Sequence, residues 1–166
     1  MNKNTENTIV PHEHHSHNHD CCCHSHEHKE VTLNDVEKSF LKNLAERNCL
    51  PISRFVMSST TQEEARFVAL SPVHIIALDD SMEAVKKIGA MLSGLEENQL
   101  ITLDYDIPIR GYEYELYKNS ELFLYFKETI KEGATKDKFL CDTAEIELGS
   151  MELTKYGIEI LSKLEA

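Results

Sequence analysis

The sequence predicts an α+β domain over residues 31–166, preceded by a disordered tail at residues 1–30. Three observations lead to this prediction. The composition changes abruptly at Val31, from histidine, cysteine and acidic residues to an ordinary mixture of apolar and charged ones. Beyond that point, apolar stripes with helical spacing alternate with short runs rich in Val and Ile. The 166 residues are 41% apolar and 28% charged, which suits one globular domain with a short appendage.

The tail contains a dense cluster of nitrogen and sulfur donors between residues 12 and 28. Most other residues in this stretch are Glu, Asp, Asn or Ser, which cannot form a core, so we expect disorder without a ligand. The predicted metal ligands are eight histidines and three cysteines, namely His12, His14, His15, His17, His19, Cys21, Cys22, Cys23, His24, His26 and His28.

The donor set favours a borderline or soft transition metal. Neutral imidazole and thiolate bind Zn, Ni, Co or Cu, whereas Mg and Ca prefer oxygen. Eleven such donors can fill roughly two or three four-coordinate sites, and competition between neighbouring donors predicts exchangeable binding. A purification tag is usually an uninterrupted histidine run, whereas acids and cysteines interrupt this one, which favours native metal binding. Storage, delivery, sensing and detoxification all remain open as its purpose.

Periodicity and capping residues predict the elements of the domain. In chain order these are a helix at 34–48, an extended piece at 55–57, a helix at 62–70, a strand at 71–78, a helix at 80–98, a strand at 100–106, a hairpin partner at 107–117, a helix at 120–133, two short strands within 139–153 and a last helix from 154. Each long helix has apolar residues every three or four positions. The candidate caps are Asn34 or Thr32, Asp80, Asn119 or Ser120, and Thr154.

The shorter elements depend on more local signals. The second helix is predicted from the capping-box pattern Thr61-x-x-Glu64. The Val- and Ile-rich run SPVHIIAL predicts a buried strand, and a histidine inside such a run, His74, is more often a hydrogen-bonded core residue than a ligand. Alternation around Gly111 predicts a hairpin partner, and Gly149 is the predicted turn between the last two strands.

Two segments resemble winged-helix regulators of the multiple-antibiotic-resistance repressor type. VKKIGAMLSGLEENQLITLDYD, residues 85–106, is similar to the family's recognition helix and first wing strand, and MELTKYGIEIL, residues 151–161, to the second wing strand and the following helix. The resemblance implies a winged-helix-like domain whose wing insertion is enlarged and contains an extra helix. It also implies DNA binding, for which Lys86, Lys87 and Arg110 are the candidate contacts.

Charge argues against that last expectation. The net charge is −12; residues 1–30 hold two lysines and five acidic residues, so residues 31–166 carry −9. Binding to a phosphate backbone requires a cluster of Lys and Arg, and an acidic domain also disfavours anionic membrane surfaces. No apolar run reaches the 18 or more residues of a membrane span, and no signal sequence is recognisable, so we expect a cytoplasmic protein. In that reducing environment the five cysteines are expected as metal ligands or buried groups.

No enzymatic motif is recognisable. The sequence lacks a Gly-rich phosphate loop, a G-x-S-x-G elbow and an H-E-x-x-H motif. Asp104 and Asp106 share one face of a predicted strand, where they can act as an acid–base pair, share a cation, or simply face solvent. His74 is the single histidine outside the tail. We therefore predict that the protein is not an enzyme.

Two functional hypotheses follow. The first is a cytoplasmic winged-helix regulator whose tail links metal status to transcription. The alternative is a non-enzymatic metal storage or delivery accessory protein whose acidic domain binds a protein partner. The regulator explains the order of helices and strands better, while the accessory protein explains the negative charge better. A third possibility is incidental metal buffering by a tail attached to an unrelated domain.

Overall fold

The computed structural model describes residues 30–166, of which residues 31–166 pack as one compact unit. In chain order its elements are α1 Asp35–Arg47, β1 Leu50–Ser58, β2 Arg66–Val73, α2 Met82–Glu97, β3 Ile101–Asp104, α3 Glu115–Lys118, α4 Glu121–Gly133, β4 Thr143–Leu153 and α5 Lys155–Glu165. The domain is therefore mixed α/β, which confirms the coarse class predicted from the sequence. None of these helices is long and apolar enough to cross a membrane.

The strands form one antiparallel sheet in the order β2-β1-β4-β3. β1 pairs with β4 along its whole length, from Leu50 opposite Met151 to Ser58 opposite Thr143. β3 pairs with the other side of β4, and α3 and α4 lie in the chain between these two strands. The helix predicted at 120–133 is therefore present as α4.

Apolar side chains form two clusters that cover both faces of β1. One cluster contains Ile52 with Leu41 of α1 and Leu92 of α2. The other contains Phe55 with Tyr117 and the buried side of α4. Ile52 and Phe55 are three residues apart on a strand that pairs regularly with β4, so their side chains point to opposite faces. This double burial explains why β1 is the centre of the fold.

Side-chain caps start the long helices close to the predicted positions. Asn34, Ser120 and Thr154 each accept a hydrogen bond from a backbone N–H of the first helical turn. The cap of α2 is Ser81 instead of the predicted Asp80. Asp80 accepts hydrogen bonds from two backbone N–H groups of the preceding loop, at 2.6 and 3.0 Å, and so fixes the approach to the helix.

The predicted helix at 62–70 is wrong, and so is most of the strand predicted at 71–78. The chain turns at Ser59, whose backbone N–H donates to the Ala65 carbonyl at 3.0 Å, and β2 then pairs with β1 through Val68 opposite Val56. β2 ends at Val73, and irregular backbone follows. Pairing with a central strand outweighs one local capping signal, because the pairing involves the whole segment.

The hairpin partner predicted at 107–117 is also wrong. Tyr114 has a left-handed backbone (φ 58°) and precedes the short helix α3. Its hydroxyl donates to the Gly149 carbonyl at 2.6 Å and accepts from the Ile109 N–H at 2.8 Å. This buried tyrosine therefore holds the segment against the sheet edge as a folded loop.

The two short strands predicted within 139–153 are one continuous strand, β4. Gly149 lies inside that strand and makes no turn. A Cβ atom at this position would lie 1.8 Å from the carbonyl oxygen of Asp104 and 2.6 Å from the Cα atom of Tyr105. Glycine is required here because the chain leaving β3 crosses β4 at very short range.

Candidate functional site

The predicted metal ligands of the tail lie outside the described residues. Within residues 30–166 no group of three or more His, Cys, Asp or Glu side chains is arranged to hold a metal ion. β3 ends at Asp104, so Asp106 lies beyond the strand on which the two were predicted to share a face, and its backbone N–H donates to the Asp104 carboxylate at 2.9 Å. Of the two cysteines in this part of the chain, Cys141 is buried as predicted and Cys49 is half-buried.

The candidate nucleic-acid contacts are exposed side chains on α2 and on the loop after β3. Lys86 and Lys87 are both exposed on α2, but they border different cavities. Lys86 borders a small cavity beside Tyr125 of α4, and Lys87 borders a larger one beside α1. Arg110 is exposed in the loop between β3 and α3. The three side chains therefore do not line one shared cavity.

Within residues 30–166 an open cleft of about 730 Å³ lies between α1 and α2, and we call it the α1/α2 cleft. Its apolar lining includes Val36, Phe40, Ile76, Ile88 and Met91. Val36 and Ile76 are 68% and 65% exposed, although both are large apolar side chains. A volume of this size lies in the range of small-molecule sites, which are mostly apolar with a few polar groups.

Positive charge borders this cleft in a domain of net negative charge. Arg47 of α1 and Lys87 of α2 both line it, and neither forms an ion pair with another described residue. The Arg47 Nε–H donates to the side-chain oxygen of Asn43 at 3.0 Å, which leaves the two terminal NH₂ groups of the guanidinium available. Glu37 also lines the cleft, and its carboxylate accepts a hydrogen bond from the Asn34 backbone N–H at 2.9 Å. The cleft therefore combines apolar side chains with two cations that have no ion-pair partner among the described residues and one carboxylate that takes part in the cap of α1.

His74 lines the same cleft from the loop after β2. Its Nδ1 atom lies 2.9 Å from the carbonyl oxygen of Pro51, and a carbonyl oxygen can only accept, so Nδ1 carries the proton. The Tyr117 hydroxyl donates to the same carbonyl at 2.9 Å and lies 3.1 Å from Nδ1, towards which its oxygen can act as a second acceptor. Burial lowers the pKa of His74, and the hydrogen bond to Pro51 and the charge of Asp80 offset this only in part. The ring is therefore neutral near pH 7.

The second ring nitrogen of His74 is available in the cleft. Nε2 has no hydrogen-bond partner among the described residues. Every fully buried side-chain nitrogen or oxygen in residues 30–166 has a partner, so an atom without one must be in contact with solvent. Nε2 is therefore accessible, and the cleft that His74 lines is its route to solvent. In the neutral ring this atom is a hydrogen-bond acceptor.

The lowered pKa of His74 predicts a loss of stability in acid. As the pH decreases below the ordinary histidine pKa of ~6.5, His74 becomes protonated in the unfolded chain but stays neutral in the folded one. The free energy of unfolding therefore decreases as the pH decreases, by at most about 1.4 kcal/mol per pH unit for one group. A His74→Asn variant keeps a neutral donor and is expected to lose this component. Urea unfolding of both chains at several pH values, with a chelator present, measures the difference. Identical pH dependence in the two chains would contradict the assignment.

A separate charged cluster on the sheet has a structural explanation. Arg66 of β2 pairs with Glu145 and Glu147 of β4, and Arg54 of β1 pairs with Glu147. Burial raises the pKa of Glu147, but the hydrogen bonds from the two arginines outweigh this and hold it below its ordinary value. These ion pairs link β2, β1 and β4 across the sheet, which accounts for the cluster.

Sequence reasoning missed the α1/α2 cleft. The spacing of Val36 and Phe40 predicts that both lie on the apolar face of the first helix, and both line the cleft from α1. Whether another element covers that face depends on the packing of α2 and of the loop containing His74, which spacing along one helix cannot reveal. The unpaired cation Arg47, in the last turn of the same helix, was the available signal.

The sequence matches no protein-family profile and no curated protein. A solved structure of an uncharacterized protein from the hydrocarbon-degrading marine bacterium Alcanivorax borkumensis SK2 is similar with 10% sequence identity and a TM-score of 0.44, over 81% of this chain and 88% of that one. At this level the likeness supports no conclusion about fold family or function.

Proposed function

We propose that this chain is a metal-handling accessory protein. Its tail binds exchangeable Zn, Ni, Co or Cu ions, and its acidic domain binds a protein partner. The single observation that carries the proposal is the presence of eleven nitrogen and sulfur donors within residues 12–28. The proposal includes a cytoplasmic location, where thiolates stay reduced and able to bind metal.

The composition of the domain supports a division of labour between tail and domain. The domain has one histidine and two cysteines, whereas the tail has eight histidines and three cysteines. His74 engages one ring nitrogen with Pro51, and Cys141 is buried. A domain with charge −9 suits a partner that offers a basic surface, since complementary charge favours association.

Cobalt substitution tests the donor assignment in the full chain. Added Co²⁺ is expected to produce thiolate-to-metal absorption, and replacing Cys21, Cys22 and Cys23 by Ser is expected to abolish it. The matched control replaces the domain cysteines, Cys49→Ala and Cys141→Ala, and should keep the absorption. Absorption that survives the tail substitutions and disappears in the control would refute binding by the tail thiolates.

A winged-helix regulator is the second candidate, and one observation favours it. The order α2, β3, β4, α5, with β3 and β4 antiparallel neighbours, is similar to a recognition helix followed by a wing and an exit helix. Against it, β2 occupies the chain position of the preceding helix, and Lys86 and Lys87 border different cavities. Sequencing genomic fragments retained by the protein, with and without Ni²⁺ or Zn²⁺ and at two salt concentrations, decides the matter. Absence of an enriched sequence in every condition eliminates the regulator.

A further inference from the structure

The α1/α2 cleft has features that metal binding by the tail does not require. Val36 and Ile76 expose about two thirds of their surface, at 68% and 65%, and line the cleft together with the apolar side chains of Phe40 and Met91. Contiguous exposed apolar surface is unfavourable in water and commonly marks a site where a ligand or partner binds. The volume of about 730 Å³ suits a small organic molecule.

The charged side chains of the lining indicate the kind of molecule. They are the cations Arg47 and Lys87 and one carboxylate, Glu37, which already accepts a hydrogen bond from the Asn34 backbone N–H at 2.9 Å. Residues 31–166 carry a net charge of −9, yet the two cations that line this cleft, Arg47 and Lys87, lack acidic partners within residues 30–166. The two lysines of α1 do have such partners, since Lys38 lies 3.9 Å from Asp35 and Lys42 lies 3.7 Å from Glu165. Unpaired cations beside an apolar surface complement a ligand that has both an anionic group and an apolar body.

His74 supplies a third feature of the same cleft. The proton on Nδ1 is held by the Pro51 carbonyl, so Nε2 presents an acceptor lone pair that no described residue uses. A hydroxyl or amide N–H on a ligand can donate to it. The three groups lie on three different segments, α1, α2 and the loop after β2, so a ligand that contacts all of them is fixed in orientation.

From these observations we propose that the α1/α2 cleft is a binding site for a small organic anion with an apolar body, such as an aromatic or aliphatic carboxylate. The anionic group pairs with Arg47 and Lys87, and the body packs on Phe40, Ile88 and Met91. His74 accepts a hydrogen bond from a donor on the ligand when one is present. The site is independent of metal binding by the tail.

The test uses two fluorescent probes on the full chain in the presence of a chelator. Anilinonaphthalene sulfonate stands for the ligand class, because it joins an apolar aromatic body to an anionic group. Nile red is apolar and uncharged, and reports whether the cleft itself persists. The variants are Arg47→Gln with Lys87→Gln, which remove the two cleft cations, and Lys42→Gln, which removes one cation of α1 that lies outside the cleft beside Glu165.

We expect saturable sulfonate binding at one site, weakened about tenfold or more by the double substitution and less than about twofold by Lys42→Gln, with Nile red binding unchanged. Equal sulfonate affinity in all chains overturns the proposal, as does equal weakening by Lys42→Gln. Loss of Nile red binding in the double variant would mean that the cleft itself has changed. In that case the double variant Arg47→Lys with Lys87→Arg, which keeps both positive charges, is tested for sulfonate binding. Retained sulfonate binding in that variant supports the site, and its loss refutes it.

Discussion

Replacing Gly149 by Ala is expected to destabilise the domain by about 3 kcal/mol or more. The new Cβ atom would lie 1.8 Å from the Asp104 carbonyl oxygen and 2.6 Å from the Tyr105 Cα atom. Both are backbone atoms, so no side-chain rotation can relieve the overlap. Relief of the overlap would require the end of β3 to move away from β4. That movement would also strain the 2.6 Å hydrogen bond from the Tyr114 hydroxyl to the Gly149 carbonyl.

Gly94→Ala provides the matched control for this substitution. Gly94 lies inside α2, and a Cβ atom there would meet no atom within 4 Å. Because alanine favours the helix over glycine, this variant is expected to gain about 0.5–1 kcal/mol. Urea unfolding monitored by circular dichroism measures both effects. Similar midpoints for the two variants would contradict the crossing of β3 and β4 described above.

The long helices were predictable because their signals are local. Apolar spacing and a side-chain cap within one segment were sufficient for α1, which begins after the predicted cap Asn34, and for α5, which begins after Thr154. In α2 the predicted cap was off by one residue, because Asp80 uses its carboxylate on the loop before the helix. That use depends on how the loop folds, which capping patterns do not encode.

The failures concern segments whose conformation is fixed by distant partners. β2 exists because it pairs with a central strand, and the loop around Tyr114 is folded because a tyrosine hydroxyl reaches a carbonyl of β4. Gly149 has the residue type of a turn but is required by a backbone crossing. In each case a contact far along the chain outweighs the local propensity.

The α1/α2 cleft could be predicted only in its parts. The sequence indicated the apolar face of α1 and contained Arg47 and Lys87, but nothing in it indicated that these would border one space with His74. His74 was predicted to be a hydrogen-bonded core residue. The structure confirms its hydrogen bond to Pro51 and also shows that the ring borders an open cleft.

Metal binding by the tail is expected to be strongly pH-dependent. Histidine ligands must be neutral, so protons compete with the metal below a pKa of ~6.5. A site with two imidazoles is expected to lose affinity by about 100-fold when the pH falls from about 7.5 to about 5.5, and thiolate ligands steepen the loss. Equilibrium dialysis against Zn²⁺ at several pH values, in the presence of a competing chelator, measures this. Affinity that stays constant over this interval would exclude imidazole ligands.

The central claim is that residues 12–28 are the metal-binding part of the protein. The direct test is elemental analysis after equilibrium dialysis of two full-length chains, the native one and one with the eight tail histidines replaced by Asn and Cys21 to Cys23 by Ser. The native chain should retain about two or three Zn²⁺ or Ni²⁺ ions and the variant fewer than about one. Equal metal content in the two chains would contradict the claim and assign binding to residues 31–166.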